Sequence, residues 1–190
     1  MRYDRQIPLI GEEAQRRIGE SRIGIAGCGG AGIAALTSLV EAGVIDFVLC
    51  DPSVPQIEDL NRQFIYAAGD LRPKSVICAE WALMLNYSAM AVARSEPVSQ
   101  ETVGMFEGCS VVLDCTGDPE AGAVLAEWCS GTSTPLVIVR SSGFDAAVVV
   151  VHPGDDVPSC PVPGAPKIGA VSMNAGSAAA IEVLRLIADS

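Results

Sequence analysis

Residues 22–32 read RIGIAGCGGAG, and the fold follows from this stretch. Its first half is an unbroken apolar run ending in glycine, the pattern of a strand buried on both faces. From Gly30 the apolar residues change period: Ile33, Leu36, Leu39 and Val40 share one face of a helix that Gly43 stops. Between the two lies Gly27-Cys28-Gly29-Gly30-Ala31-Gly32. Glycines there let the chain turn tightly and bring a phosphate up to the helix N-terminus, where free N–H groups and the helix dipole favour anions. The competing reading is that these glycines serve strand–helix packing alone. The motif by itself does not separate NAD from ATP.

The same alternation extends outward in both directions. Residues 11–20 read as a short polar helix and residues 44–51 as a second strand. Pro73 suits the first turn of a helix running to Asn86. Strand 89–94, helix 99–107, strand 110–116, helix 118–130 and strand 135–140 follow. Strand 145–152 is joined to its predecessor by a short turn around Gly143, so the two can pair antiparallel. Residues 153–169 hold five of the twelve prolines and read as a loop; a helix over about 172–188 closes the chain. The expected fold is α/β and Rossmann-like: a mostly parallel sheet covered by helices on both faces, with antiparallel strands toward the C-terminus. Its 190 residues suffice for one domain, 1–190, with a substantial core.

Composition narrows the chemistry. The chain is 49% hydrophobic and 18% charged, which is globular rather than disordered. No run of 18 apolar residues occurs, so no membrane span is expected. Met1-Arg2-Tyr3-Asp4-Arg5 opens with charges and no apolar signal core follows, so a cytoplasmic location is expected. A net charge of −11 argues against nucleic acid as a partner. Only two lysines are present, Lys74 and Lys167, so an anionic substrate would depend on a few local cations. The seven cysteines include no C-x-x-C pair, and His152 is the single histidine. Zinc is therefore not expected, reduced buried thiols are, and a Ser-His-Asp triad is disfavoured.

The residues after the second strand bear on the nucleotide. Asp51 ends that strand, where a carboxylate can accept hydrogen bonds from ribose hydroxyls. Ile57-Glu58-Asp59-Leu60-Asn61-Arg62-Gln63 follow, and Lys74 opens the next helix. An NAD site has little use for an arginine and a lysine there, whereas a triphosphate whose charge shifts during reaction uses both. A surface ion pair and a solvated helix start are the ordinary alternatives, and the joint placement favours phosphate. Asp114 and Asp118 lie at and just beyond the end of strand 110–116, on the carboxyl edge where open sheets bind ligands. Asp118 reads either as a Mg²⁺ ligand beside substrate phosphates or as a helix cap before Pro119. Asp114, nearer the sheet interior, reads as structural.

Taken together, these elements resemble the ThiF/MoeB/HesA family, bacterial relatives of ubiquitin-activating enzymes. The matching residues are Arg2-Tyr3-Asp4-Arg5-Gln6-Ile7, the glycine motif at 27–32, Asp51, Asp59-Leu60-Asn61-Arg62-Gln63, Pro73-Lys74 and Asp114-Cys115-Thr116. They cover nearly the whole chain in order, and the D-L-N-R-Q element is far more specific than the glycines. The resemblance implies a reaction with Mg-ATP in which the C-terminal glycine carboxylate of a ubiquitin-like carrier ending in Gly-Gly attacks the α-phosphate, giving an acyl-adenylate and pyrophosphate. It implies that Gly27, Gly29, Gly30 and Gly32 cradle phosphate, that Arg62, Gln63 and Lys74 hold the triphosphate, and that Asp51 holds the ribose. Asp118 would sit near Mg²⁺, and Arg5 would reach the phosphates as an arginine finger from the other protomer of a homodimer. Adenylation of another peptide or small carboxylate, and a noncatalytic nucleotide-binding partner subunit, are the competing expectations.

The departures are specific. Asp59 stands where the family commonly has Asn, so a carboxylate there must face Mg²⁺ or turn away from phosphate. Gly117-Asp118-Pro119 replaces the usual Asp-Asn pair. The two zinc C-x-x-C pairs are missing, the chain ends where the family normally adds another strand, and the crossover loop is cut down to the proline-rich 153–169, near which Cys160 falls.

Overall fold

In the computed structural model, which describes residues 2–158 and 166–189, six strands form one sheet. They are β1 (Arg22–Ala26), β2 (Asp46–Cys50), β3 (Met90–Arg94), β4 (Val111–Asp114), β5 (Leu136–Ser142) and β6 (Asp145–Val151), in the spatial order β3-β2-β1-β4-β5-β6. All neighbours are parallel except β5 and β6, which form the antiparallel hairpin expected around Gly143. The helices are α1 (Ile7–Ile10), α2 (Glu12–Glu20), α3 (Gly30–Ala42), α4 (Lys74–Leu85), α5 (Pro119–Gly131) and α6 (Gly169–Ala188). The α/β fold with a mostly parallel, doubly covered sheet and a late antiparallel pair is thus as expected.

Strand alternation sorts the apolar residues into two layers. Ile23, Ile25, Leu113, Val137 and Val139 face the side covered by α3, α4 and α6, where they meet Ile33, Leu36, Leu39, Val40 and Val183. Ala26, Val112, Leu136 and Ile138 face the other side, against Val103, Phe106, Leu125 and Cys129. Burying one such aliphatic side chain contributes about 1.5–3 kcal/mol. At Gly43 the backbone turns left-handed (φ 113°) and ends α3.

Two local expectations need correction. Residues 99–107 form turns and one short 3-10 helix, Val103–Phe106, rather than a helix throughout. Ser99 N–H donates to Thr102 Oγ1 at 2.9 Å, and Gly108 adopts φ 79°; local side-chain bonding and glycine displace the helix there. Helix α6 starts at Gly169, three residues ahead of the expected 172. The N-terminal arm forms a further short helix, α1, and Gln6 Nε2 donates to the Ala42 carbonyl at 2.8 Å, which fixes the arm beneath the C-terminal end of α3.

Helix α6 is long and apolar enough to cross a membrane by length and composition alone. It packs instead against α3, β5, β6 and α2, with Ala175, Ala179, Ala180, Val183 and Ile187 buried. The strand order reverses between β1 and β4, and this opens a crevice at the carboxyl edge of the parallel strands. Helices α3, α4, α5 and α6 all begin at that edge.

Candidate functional site

One cavity of about 360 Å³ occupies the crevice. Gly27, Gly29, Gly30 and Ala31 line it from the first strand–helix turn, Asp51 and Ser53 from the end of β2, and Asp59, Arg62, Gln63 and Lys74 from the segment leading into α4. Cys115, Thr116, Gly117 and Asp118 close it from the β4–α5 turn, Arg140 and Ser141 from β5, Lys167 from the approach to α6 and Ser172 from its first turn. Three long helices meet it without a side-chain cap on their first N–H groups: α3, α4 and α6, whose N-cap residues are Gly29, Pro73 and Ile168. Such ends favour anions. At Gly27, φ is 93° and an added Cβ would lie 2.6 Å from the Cys115 carbonyl, so only glycine lets the two turns approach this closely.

Asp51 is fixed at the rim. Its Oδ2 accepts from Cys28 N–H at 2.8 Å, and its Oδ1 accepts from Ser53 N–H at 2.9 Å and from the Ser53 hydroxyl. The carboxylate is therefore held in place by the glycine turn and by the loop beyond β2, facing the cavity as a ribose acceptor would need.

Asp59 is the hub of the opposite wall. Lys74 Nζ lies 2.7 Å from Oδ2 and Arg62 Nη2 lies 2.9 Å from Oδ1. Gln63 Nε2 donates to Oδ1 at 2.9 Å and Gln56 N–H to Oδ2 at 3.1 Å. Burial alone would raise the Asp59 carboxyl, but the hydrogen bond from Lys74, the Gln56 N–H and the charges of Lys74 and Arg62 outweigh it and hold the group below its usual 3.8. The carboxylate at this position thus turns toward the two cations. Gln63 spends its amide N–H on Asp59, while its buried Oε1 has no partner among the described residues, an acceptor left for a donor from a ligand. Lys74 also lies 5.8 Å from the centre of the Tyr66 ring.

Across the crevice, Asp114 is fully buried. Its Oδ1 accepts from Thr116 N–H and the Thr116 hydroxyl, and Arg140 closes an ion pair on Oδ2. Asp114 is therefore a brace for the β4–α5 turn. Asp118 is exposed and caps α5, accepting from Glu120 N–H at 2.9 Å with Oδ1. Its Oδ2 has no protein partner among the described residues, so capping and metal ligation are compatible. No group of three or more potential metal ligands occurs among the described residues. Burial and the neighbouring Asp114 charge push the Cys115 thiol up, which keeps it protonated at the cavity wall.

Arg5 does not join this assembly. It is exposed on the N-terminal arm, which Gln6 ties to the Ala42 carbonyl at the far end of α3, and it does not line the cavity. Cys160 lies outside the described residues. Arg140 and Lys167 line the cavity although no motif singles them out. The available signals are the position of Arg140 at the carboxyl end of an apolar strand and the scarcity of lysine.

A model of the ThiF family matches residues 3–189. The chain is 31% identical over 157 residues to the sulfur carrier protein ThiS adenylyltransferase of Escherichia coli (strain K12), covering 80% of this chain and 62% of that protein. It is 27% identical over 209 residues to the adenylyltransferase and sulfurtransferase MOCS3 of Mus musculus, covering 99% of this chain and 45% of that protein. The chain thus spans less than two thirds of each of these relatives. Among solved structures, E. coli MccB crystallised with MccA superposes with a TM-score of 0.85 at 16% identity, over 100% of this chain and 64% of that one, a likeness of fold.

Proposed function

This chain belongs to the ThiF family, and from that premise we propose that residues 1–190 act as one ATP-dependent adenylation domain for a chain-terminal carboxylate. The observation that carries the reading is the composition of the cavity wall. Four cations (Arg62, Lys74, Arg140, Lys167) and three carboxylates (Asp51, Asp59, Asp118) surround a glycine turn and uncapped helix starts. With Asp114 balancing Arg140 these charges cancel, so Arg62 and Lys74 beside the glycine turn suit a triphosphate accompanied by a divalent cation better than the bare tetra-anion.

In this reading Asp51 accepts from the ribose, the backbone of Gly27–Ala31 cradles phosphate, and Arg62 and Lys74 exchange part of their contact with Asp59 for the triphosphate. Asp118 would hold Mg²⁺ through its uncommitted oxygen together with phosphate oxygens; the metal would supply charge neutralisation on the departing pyrophosphate. A carboxylate oxygen attacks the α-phosphorus, the bond to the bridging oxygen of the β-phosphate breaks, and the electron pair leaves with pyrophosphate. The acyl donor in this reading is a ubiquitin-like sulfur carrier ending in Gly-Gly, as the name of the E. coli relative suggests. Arg5 acts across a homodimer: it is exposed and anchored far from the cavity of its own chain. The setting is the cytoplasm.

Calorimetric titration tests the reading. Mg-ATP should bind and NAD should not; tight NAD binding without ATP binding would sink it.

A further inference from the structure

Of the four cations lining the cavity, three already hold a carboxylate: Arg62 and Lys74 share Asp59, and Arg140 holds Asp114. Lys167 has no carboxylate partner among the described residues. Its backbone is pinned, since residue 167 bridges Gly143 at the tip of the β5–β6 hairpin and Gly143 N–H donates to the Pro166 carbonyl at 2.8 Å. Its ammonium stands over Gly117, where an added Cβ would lie 3.5 Å from Nζ. Partial burial and the facing charges of Arg62 and Arg140 hold this ammonium below its usual range. A lone cation set against two others is unfavourable until an anion arrives.

We propose that Lys167 and Arg140 form the subsite that receives the acyl substrate's terminal carboxylate, an inference that rests on the adenylation reading. Position distinguishes this subsite from the one for phosphate. Asp51 marks the ribose end over β2, and the glycine turn marks the phosphates over β1. Arg140 and Lys167 stand on the opposite flank, over β4 and β5. A carboxylate bound there reaches phosphate from a flank that the ribose leaves free, and in-line displacement then requires pyrophosphate to leave on the far side of the α-phosphorus. Arg140 contributes the guanidinium donors that Asp114 and the Asp114 and Val139 carbonyls leave unused. Lys167 contributes a mobile ammonium that can follow the attacking oxygen toward phosphorus.

The two-lysine composition gives a direct test. Protein labelled with ¹³C-lysine shows one side-chain signal each for Lys74 and Lys167, assigned by the signal lost in Lys167→Arg. The non-hydrolysable Mg-AMPPNP should move the Lys74 signal. Adding N-acetylglycylglycine to the nucleotide-loaded protein should then move the Lys167 signal, and the C-terminal amide of the same dipeptide should not. By calorimetry, Lys167→Gln should weaken N-acetylglycylglycine about tenfold, the loss expected for one hydrogen bond to a charged group, and leave Mg-AMPPNP affinity unchanged. The proposal is overturned if the carboxylate leaves Lys167 unmoved, or if the nucleotide alone moves Lys167 as it moves Lys74, which would assign Lys167 to phosphate. Both results leave the adenylation reading standing. That reading fails separately if Mg-AMPPNP moves neither lysine.

Discussion

Lys74 holds its ammonium 2.7 Å from the Asp59 carboxylate, and each side chain is only 8% exposed. Arg62 occupies the other carboxylate oxygen. The two cations that the proposed reading assigns to the triphosphate are therefore held by an anion that belongs to the protein. In that reading phosphate must compete with that anion.

Asp59→Asn measures the competition. Removing one partner of a buried pair leaves Lys74 uncompensated and costs about 3 kcal/mol, roughly 6–12 °C in Tm for a chain of this size. Saturating Mg-ATP supplies the missing negative charge, so it should raise the Tm of the variant more than that of the wild type. Equal shifts in a thermal melt would show that the nucleotide does not meet Lys74.

The same carboxylate makes stability depend on pH. Its folded-state pKa lies below the usual 3.8, so the unfolded chain takes up this proton first as pH falls. The contribution of Asp59 is fully present above 3.8 and is lost as pH drops through the lower folded value. Urea midpoints of wild type and Asp59→Asn should therefore differ at neutral pH and converge below 3.8. A constant difference across that range would assign the stabilisation to packing.

Arg62→Ala should leave the fold intact, because the residue sits in a loop and its removal opens no core cavity. Pyrophosphate exchange driven by the carboxylate substrate should fall about 10²–10³-fold, the usual cost of losing one preorganised contact to a shifting charge. Arg5→Ala should show a similar loss. In the proposed homodimer a mixed pair has one site with both arginines, so mixing the two variants should restore part of the activity. No recovery after confirmed subunit exchange would confine Arg5 to its own chain.

Gly169→Ala should act at a distance. Alanine favours helix by about 1 kcal/mol, yet its Cβ would lie 2.7 Å from the Asn61 carbonyl and 3.2 Å from Arg62 Cα. The loop carrying Arg62 must move aside, and a displacement near 1 Å typically costs about 10²-fold in rate. Circular dichroism should show undiminished helix alongside the loss of pyrophosphate exchange. Full activity would show that the α6 start does not position Arg62.

Much of the site is readable in the sequence because its parts are local. The glycine turn, Asp51 at a strand end and Lys74 at a helix start each announce themselves within a few residues. Asp59 is visible as a departure, but its partners are not, since whether a carboxylate faces metal or cation depends on how the loop closes on α4. Arg140 and Lys167 escape motif reading for a different reason. They reach the cavity only because β5 lies beside β4 and because residue 167 is stitched to the hairpin tip, and both relationships are long-range. The segment 99–107 shows the opposite failure: helical spacing was present, but side-chain bonding at Ser99 and the glycines at 104 and 108 prevailed.

Gly176 of α6 crosses α3 so closely that an added Cβ would sit 2.1 Å from the Ala31 carbonyl. The consequence concerns what this sequence can become. Most of α6 can drift, since an outward-facing residue such as Ile181 is half exposed and meets mainly solvent. At 176 a single methyl group would have to push an entire helix off its neighbour, and that neighbour carries the glycine turn. Variation at this crossing is therefore open only to lineages that shift both helices together. The helix farthest along the chain limits change in the glycine turn that follows the first strand.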